Sequence, residues 1–350
     1  MFLNKRFSIY KNKKVLITGH NGFVGSWLTA SLLKLKSKVY GVSLKNKNKG
    51  FRFIVDKKNL NLTQYIQDIN DFKKLNSIIK KINPDFIFHL AAQPIVNIGY
   101  NKPLETIRTN VIGTANILES IKKNKTKNCI IITSDKVYLN KENKKFFHEE
   151  SELGGDDIYS ASKACAEIIT RSFFLSFKNQ FSYLDTIRAG NILGGGDFGD
   201  KRLIPDIFKS IHSNKILNIR SPFSIRPWQN VLDAITAYLL IPLNQKKRSN
   251  GFDVWNVGPD KKGSLIRVLD IINELKKKNN KFKIKIRKNS FKESHFLMLN
   301  NKKIKKIGWH NKYNINTTLN QTSKWYELYY NSKNNELKKF TNYLIDKNLS

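Results

Sequence analysis

Cysteine is scarce in this chain, acidic residues are few, and no long apolar run occurs. The only cysteines, Cys129 and Cys165, fall in a predicted buried strand and a predicted helix. Neither a disulfide framework nor a metal-binding spacing can be built from them, and a reducing, cytoplasmic setting is expected. Met1 to Lys14 holds no long apolar stretch, and nothing elsewhere approaches the ~18 residues of a membrane span, so a soluble chain without a membrane partner is expected. Six histidines are scattered without ligand spacing, which argues against a metal site. Against 63 Lys and Arg stand only 27 Asp and Glu, a net charge of +36. Lysine dominates the excess, and it runs from Lys5 to Lys347 rather than clustering. We read it as a compositional bias, with no nucleic-acid partner, although it would also attract an anionic substrate.

What is present is organised around nucleotide and alcohol chemistry. The 350 residues are enough for two lobes. Lys14 to Thr18 is a short apolar run, and Gly19, Gly22 and Gly25 follow at once in the spacing G-x-x-G-x-x-G. Val24, Leu28, Leu32 and Leu35 then recur at helical spacing. Strand, glycine turn and helix in that order let a pyrophosphate approach backbone N–H groups, so Gly19, Asn21, Gly22, Phe23, Val24 and Gly25 are expected to bind a dinucleotide.

A second strand, Lys38 to Leu44, ends without the acid that usually holds the ribose hydroxyls of NAD. It offers Ser43 and Lys45 instead, which leaves NAD and NADP both open. After a third strand, Asp68 and Ile69 are placed near the adenine. The run from Asp85 to Gln93 is a fourth strand ending in small residues, where Leu90, Ala91 and Ala92 would let a cofactor lie against the backbone. Helices are predicted over Pro103 to Lys123, with an apolar stripe of Leu104, Ile107, Val111, Ile112, Ala115 and Leu118, and over Tyr159 to Phe177. The alternation predicts an α/β fold with a doubly wound parallel sheet.

A fifth strand, Cys129 to Ile132, leads into Thr133-Ser134-Asp135-Lys136. Beyond it, Tyr159 and Lys163 stand four apart, on one helical face. A hydroxyl, a carboxyl and an amine beside a tyrosine–lysine pair suit proton transfer at a sugar or alcohol. Thr133 has a plain alternative as a turn former.

Gly19 to Gly25, His89 to Gln93, Asn110, Ser134 to Lys136 and Tyr159 to Lys163 together resemble the extended short-chain dehydrogenase/reductase family. Gly22 to Leu28, Ala91 to Pro94, Thr133 to Lys136, Arg188 to Asp197, Arg202 to Asp206 and Arg226 to Gln229 narrow the likeness to its CDP-glucose 4,6-dehydratase branch. The Asp135-Lys136 pair carries the distinction, because the similar dTDP-glucose dehydratases have Asp-Glu there. The resemblance implies catalysis by Ser134, Asp135, Lys136, Tyr159 and Lys163. It also implies NAD bound partly by Tyr159 and Lys163, and substrate contacts from Gln93, Asn110, Asn191, Arg202, Arg226 and His295.

The implied architecture is a Rossmann domain over 11–190 and about 226–258, with a smaller, partly discontinuous α/β substrate lobe over about 191–225 and 259–330. Residues 331–350 are a tail outside the likeness. A homodimer or higher homo-oligomer and a part in deoxysugar supply for lipopolysaccharide O-antigen are implied as well. The chain departs from the pattern at the missing acid, at Asn230 where histidine is usual, and at Asn300 where aspartate is usual. Alternatives are another nucleotide-sugar dehydratase or epimerase and, in a different class, a non-catalytic dinucleotide-binding regulator with a basic surface. The loop Gly194 to Gly199 reads as flexible, Trp228 as a stacking or lobe-filling residue, and Phe282 to Arg287 as a half-buried strand.

Overall fold

Short apolar runs with no polar alternation form strands buried on both faces, as a parallel sheet covered by helices requires. A computed structural model of the protein describes residues 5–45, 48–126, 128–142, 145–247, 251–259, 266–278, 283–287 and 295–350. Its main strands are β1 (Lys14–Thr18), β2 (Lys38–Ser43), β3 (Leu62–Ile66), β4 (Phe86–His89), β5 (Asn128–Ile132) and β6 (Tyr183–Ala189). Shorter ones follow as β7 (Asn191–Leu193), β8 (Leu217–Ile219), β9 (Ile225–Arg226) and β10 (Trp228–Asn230). The last three are β11 (Phe252–Val257), β12 (Ile266–Arg267) and β13 (Ile284–Ile286). Seven of them make one sheet in the order β11-β6-β5-β4-β1-β2-β3, every neighbouring pair parallel. The strand order, not the chain direction, reverses between β1 and β4, which opens a crevice at their carboxyl ends.

The helices are α1 (Phe23–Lys34), α2 (Phe51–Ile54), α3 (Phe72–Ile82), α4 (Val96–Asn101), α5 (Pro103–Ile107), α6 (Gly113–Asn124) and α7 (Ile158–Ser176). Then come α8 (Leu203–Ser213), α9 (Val231–Leu240), α10 (Val268–Lys278), α11 (Lys302–Lys306), α12 (Ile315–Tyr330) and α13 (Asn334–Leu349). Ile79, Ile82, Leu118 and Ile121 from α3 and α6, with Phe174 from α7, cover one sheet face. Trp27 and Leu28 of α1 and Ile235 of α9 cover the other, joined by Trp325 of α12 and Leu344 of α13.

Three expectations change here. The helix predicted over Pro103 to Lys123 is broken by a π turn, Arg108–Ile112, that carries Asn110. Its predicted stripe does not all face inward: Leu104, Ile107 and Ile112 are exposed, while Leu118 joins Ile117 and Ile121 in the core. The extra residue of a π turn rotates the helical face by part of a turn, so spacing counted through it misassigns the stripe. Residues 334–349 form a helix with Leu337, Leu344, Ile345 and Leu349 buried. The strand expected over Phe282 to Arg287 is β13, with Ile286 exposed; Phe282 lies outside the described residues.

Candidate active site

The glycine turn is built by close approach. Gly19 sits at φ +74° with its carbonyl accepting from Gly22 N at 3.0 Å. A Cβ on Gly25 would lie 2.1 Å from Gly19 O, and one on Gly19 would lie 2.8 Å from Ala91 N. No side chain caps α1 at Gly22 and its first turn has no acid, so the leading amides are left for an anion. Phe23 and Val24 line the central cavity from this turn. The Asn21 amide donates to Leu44 O, tying the turn to the end of β2.

At the end of β2, Ser43 is already engaged. Its hydroxyl lies 2.8 Å from His20 Nδ1, and His20 Nε2 lies 3.0 Å from Gln64 Oε1. The imidazole packs where a Cβ on Gly41 would come within 2.3 Å, and burial lowers its pKa. Ser43 therefore orients a neutral histidine, and exposed Lys45 is the polar group facing solvent there. Asp68 is exposed and accepts from its neighbour Asn70, while Ile69 turns into the core against Gly113.

Beyond β4, Leu90 and Ala92 line the cavity, and the Ala91 backbone closes on Gly19. His89 bridges Thr18 Oγ1 at 2.7 Å and Thr114 Oγ1 at 3.2 Å; burial and then the charge of Lys163 hold its pKa at about 3, so it is neutral. Gln93 and Asn110, expected on the substrate, are instead spent internally. Asn110 Oδ1 accepts from Gln93 N at 2.8 Å, and its amide donates to Gln93 O at 3.1 Å and Ser162 Oγ at 2.9 Å. The Gln93 amide donates to Thr106 Oγ1, and its Oε1 accepts from Ile95 N. Buried amides must satisfy both ends, and these do so by pinning the loop after β4 to α7.

The proton-moving residues do converge. Ser134, Asp135, Lys136, Tyr159 and Lys163 all line one cavity of about 440 Å³. Asp157 caps α7, and Tyr159 and Lys163 leave its first turns on one face. Lys163 Nζ donates to Ile132 O at 3.3 Å, and burial lowers its pKa to about 8. Burial pushes Tyr159 up to about 12, opposed by a hydrogen bond from Ser134. The Ser134 hydroxyl also lies 2.9 Å from Asp135 Oδ1. Asp135 is buried, its Oδ2 has no partner, and burial raises its pKa against the pull of Lys136 and Arg226. The arrangement offers a buried carboxyl whose pKa is raised, a phenol and two amines around one space.

Asn191, Arg202, Arg226 and Trp228 line the same cavity. Arg202 is held by Asp197, with Nη1 3.1 Å from Oδ2. His295 does not reach the cavity: it is exposed, and its backbone N–H donates to Glu142. Glu293 and Ser294 beside it lie outside the described residues. Asn230, at the usual histidine position, caps α9 through Leu232 N, and Asn300 accepts from Lys302 N. The glycines from Gly194 to Gly199 serve packing rather than a loose loop. A Cβ on Gly195 would strike the Trp325 ring at 2.0 Å, Trp27 Nε1 donates to Gly195 O, and the Tyr326 hydroxyl donates to Asp197 O.

Sequence reasoning missed Asp197 and the buried carboxylate Glu167. The signal for Glu167 was available: it follows Lys163 by one helical turn, on the face turned to the sheet.

Residues 16–322 match the GDP-mannose 4,6 dehydratase family. The chain is 36% identical to the CDP-glucose 4,6-dehydratase of Salmonella typhimurium, with 93% of each chain covered. Among solved structures, the UDP-glucose 4-epimerase of Thermotoga maritima with UDP-glucose superimposes at a TM-score of 0.78 and 21% identity, over 91% of this chain and 99% of that one. The dTDP-glucose 4,6-dehydratase of Bacillus anthracis in complex with NAD does so at 0.75 and 22%, over 90% and 96%. Those two show the shared fold. The glycine turn on β1, the tyrosine–lysine face of α7 and the match across residues 16–322 make this chain a member of the GDP-mannose 4,6 dehydratase family.

Proposed function

We propose that the protein is an NAD-dependent CDP-glucose 4,6-dehydratase, yielding a CDP-4-keto-6-deoxy sugar. The observation that carries this is Asp135 and Lys136 lining the same cavity as Tyr159 and Lys163, in a chain 36% identical to a curated enzyme of that activity. The uncapped start of α1 and the glycine cradle fit a dinucleotide pyrophosphate. Gly19, Gly22 and Gly25 with the start of α1 would hold NAD, which would supply a hydride acceptor for C4 of the sugar and a hydride donor for C6.

Tyr159 receives the C4 hydroxyl proton. Lys163, still largely protonated below about 8, favours the phenolate that this requires, and Ser134 hydrogen-bonds the same oxygen. A C4 ketone acidifies the C5–H. Lys136 takes that proton once it has lost its own, and Asp135, whose pKa burial raises, gives a proton to the departing C6 hydroxyl. Water leaves across C5–C6, and the proton held on Lys136 goes back to C5 as a hydride would be returned to C6, so that no net redox change would result. Arg202 and Arg226 provide guanidinium for the diphosphate.

The same reading places the sugar nucleotide between the sheet domain and the smaller lobe, and places the enzyme in the cytoplasm, where an exposed thiol such as Cys165 stays reduced. Such a product suits deoxysugar supply for surface polysaccharide. Self-association through α5, the π turn after it and α7 belongs to it too, since Leu104, Ile107, Ile112, Ile168 and Leu175 are exposed there. The test is incubation of purified protein with CDP-glucose, dTDP-glucose and GDP-mannose. We expect a 4-keto-6-deoxy product from CDP-glucose; product from dTDP-glucose alone would move the chain to the sister branch, and none from any would refute the proposal.

A further inference from the structure

Behind the site lies a buried polar chain that touches both of its halves. Glu167 is 2% exposed on α7, one turn beyond Lys163. Its Oε1 accepts from Thr133 Oγ1 at 2.6 Å, and its Oε2 accepts from Thr186 Oγ1 at 2.9 Å and Arg188 Nη2 at 3.0 Å. Arg188, 3% exposed on β6, sends Nη1 to the Tyr138 hydroxyl at 3.0 Å and to Glu149 O at 2.8 Å. Its guanidinium also lies over the Tyr138 ring, 4.8 Å from the centroid. The Tyr138 hydroxyl donates in turn to Asn256 Oδ1 at 2.6 Å.

Thr133 immediately precedes Ser134-Asp135-Lys136, and Tyr138 stands two residues after it. One ion pair therefore grips the turn on both sides and fastens it to the helix that carries Tyr159 and Lys163. Neither Glu167 nor Arg188 lines the cavity. A buried pair of this kind contributes little net stability relative to apolar replacements, but it fixes geometry because both ions lose heavily if they part.

We infer that Glu167 and Arg188 are positioning residues that set the spacing between the two halves of the site: the Tyr159–Lys163 face, which serves oxidation at C4, and the Ser134–Asp135–Lys136 turn, which serves elimination across C5–C6. This rests on the dehydratase reading and extends it to residues outside the cavity. Loosening the pair slows elimination more than oxidation, because Tyr159, Lys163 and the cofactor site stay together on α7 and β1 while the turn drifts.

The test compares the unsubstituted protein with Glu167→Gln, Arg188→Lys and Thr133→Val on CDP-glucose. It follows steady-state rates and the absorbance of reduced nicotinamide during turnover. We expect kcat to fall about 10- to 100-fold, as sub-ångström displacements of reacting groups do, with KM changing less than about twofold. The fraction of sites holding reduced nicotinamide should rise, since C4 is oxidised faster than water is lost. An unchanged kcat, or a fall with no rise in that fraction, overturns the inference. If the two ion-pair variants misfold, Thr133→Val leaves the pair intact and decides by the same outcomes. An unsubstituted protein that fails to turn over refutes the dehydratase reading itself, before any variant is compared.

Discussion

At the scale of single residues, the site buries a carboxyl, Asp135, whose pKa is raised, beside a buried amine, Lys163, whose pKa falls to about 8. In the proposed mechanism Lys136 serves C5, so Lys136→Ala should abolish exchange of the C5 hydrogen with solvent while nicotinamide binding stays nearly unchanged. Mass spectrometry of substrate recovered from heavy water, beside cofactor titration, checks both. Asp135 shows what that arrangement costs. Burial raises its pKa, so the charged form is disfavoured in the folded chain, and the penalty is full above the folded pKa and shrinks as pH falls from there to the unfolded pKa. Acidification through that pKa removes it. Asp135→Asn should therefore raise the thermal midpoint at neutral pH, by an amount that shrinks as pH falls, while turnover is lost. Melting curves across pH test this; a lower midpoint at neutral pH would contradict it.

At the scale of elements, the sequence declared the sheet and the turn plainly because their chemistry is local. A run such as Val15-Leu16-Ile17 buried on both sides reads as a parallel strand, and three glycines at fixed spacing have few other uses. Gly25→Ala should abolish dinucleotide binding, because its Cβ would meet Gly19 O at 2.1 Å within backbone that cannot yield. Gly195→Ala strikes a tryptophan ring instead, and should cost about 1–3 kcal/mol of stability, as overpacking does. Equilibrium denaturation and cofactor titration separate the two. What stayed hidden depends on partners distant in the chain. Asn110 reads as a polar residue free to contact substrate until Gln93 and Ser162 are seen to consume its amide. Ser43 reads only as what stands where the ribose acid is usual until His20 claims it. No periodicity marks a π turn, so the exposed Leu104 and Ile112 were assigned to the core.

At the scale of the whole molecule, the cavity is assembled from distant stretches and α13 completes the core behind it. Among the described residues no helix is long and apolar enough to cross a membrane. The exposed apolar residues Leu104, Ile107 and Ile168 are where the proposed self-association would be seated. Leu104→Lys with Ile168→Lys should convert a dimer to a monomer in light scattering, leaving the melting profile cooperative; a wild-type monomer would contradict this. The central claim is that one hydride leaves C4 and comes back at C6 within a single active site. Its most direct test is turnover of CDP-glucose carrying deuterium at C4. The account predicts a 4-keto-6-deoxy product with that deuterium at C6 and no net reduction of the cofactor. Deuterium lost to solvent, or retained at C4 of an epimerised sugar, would contradict it.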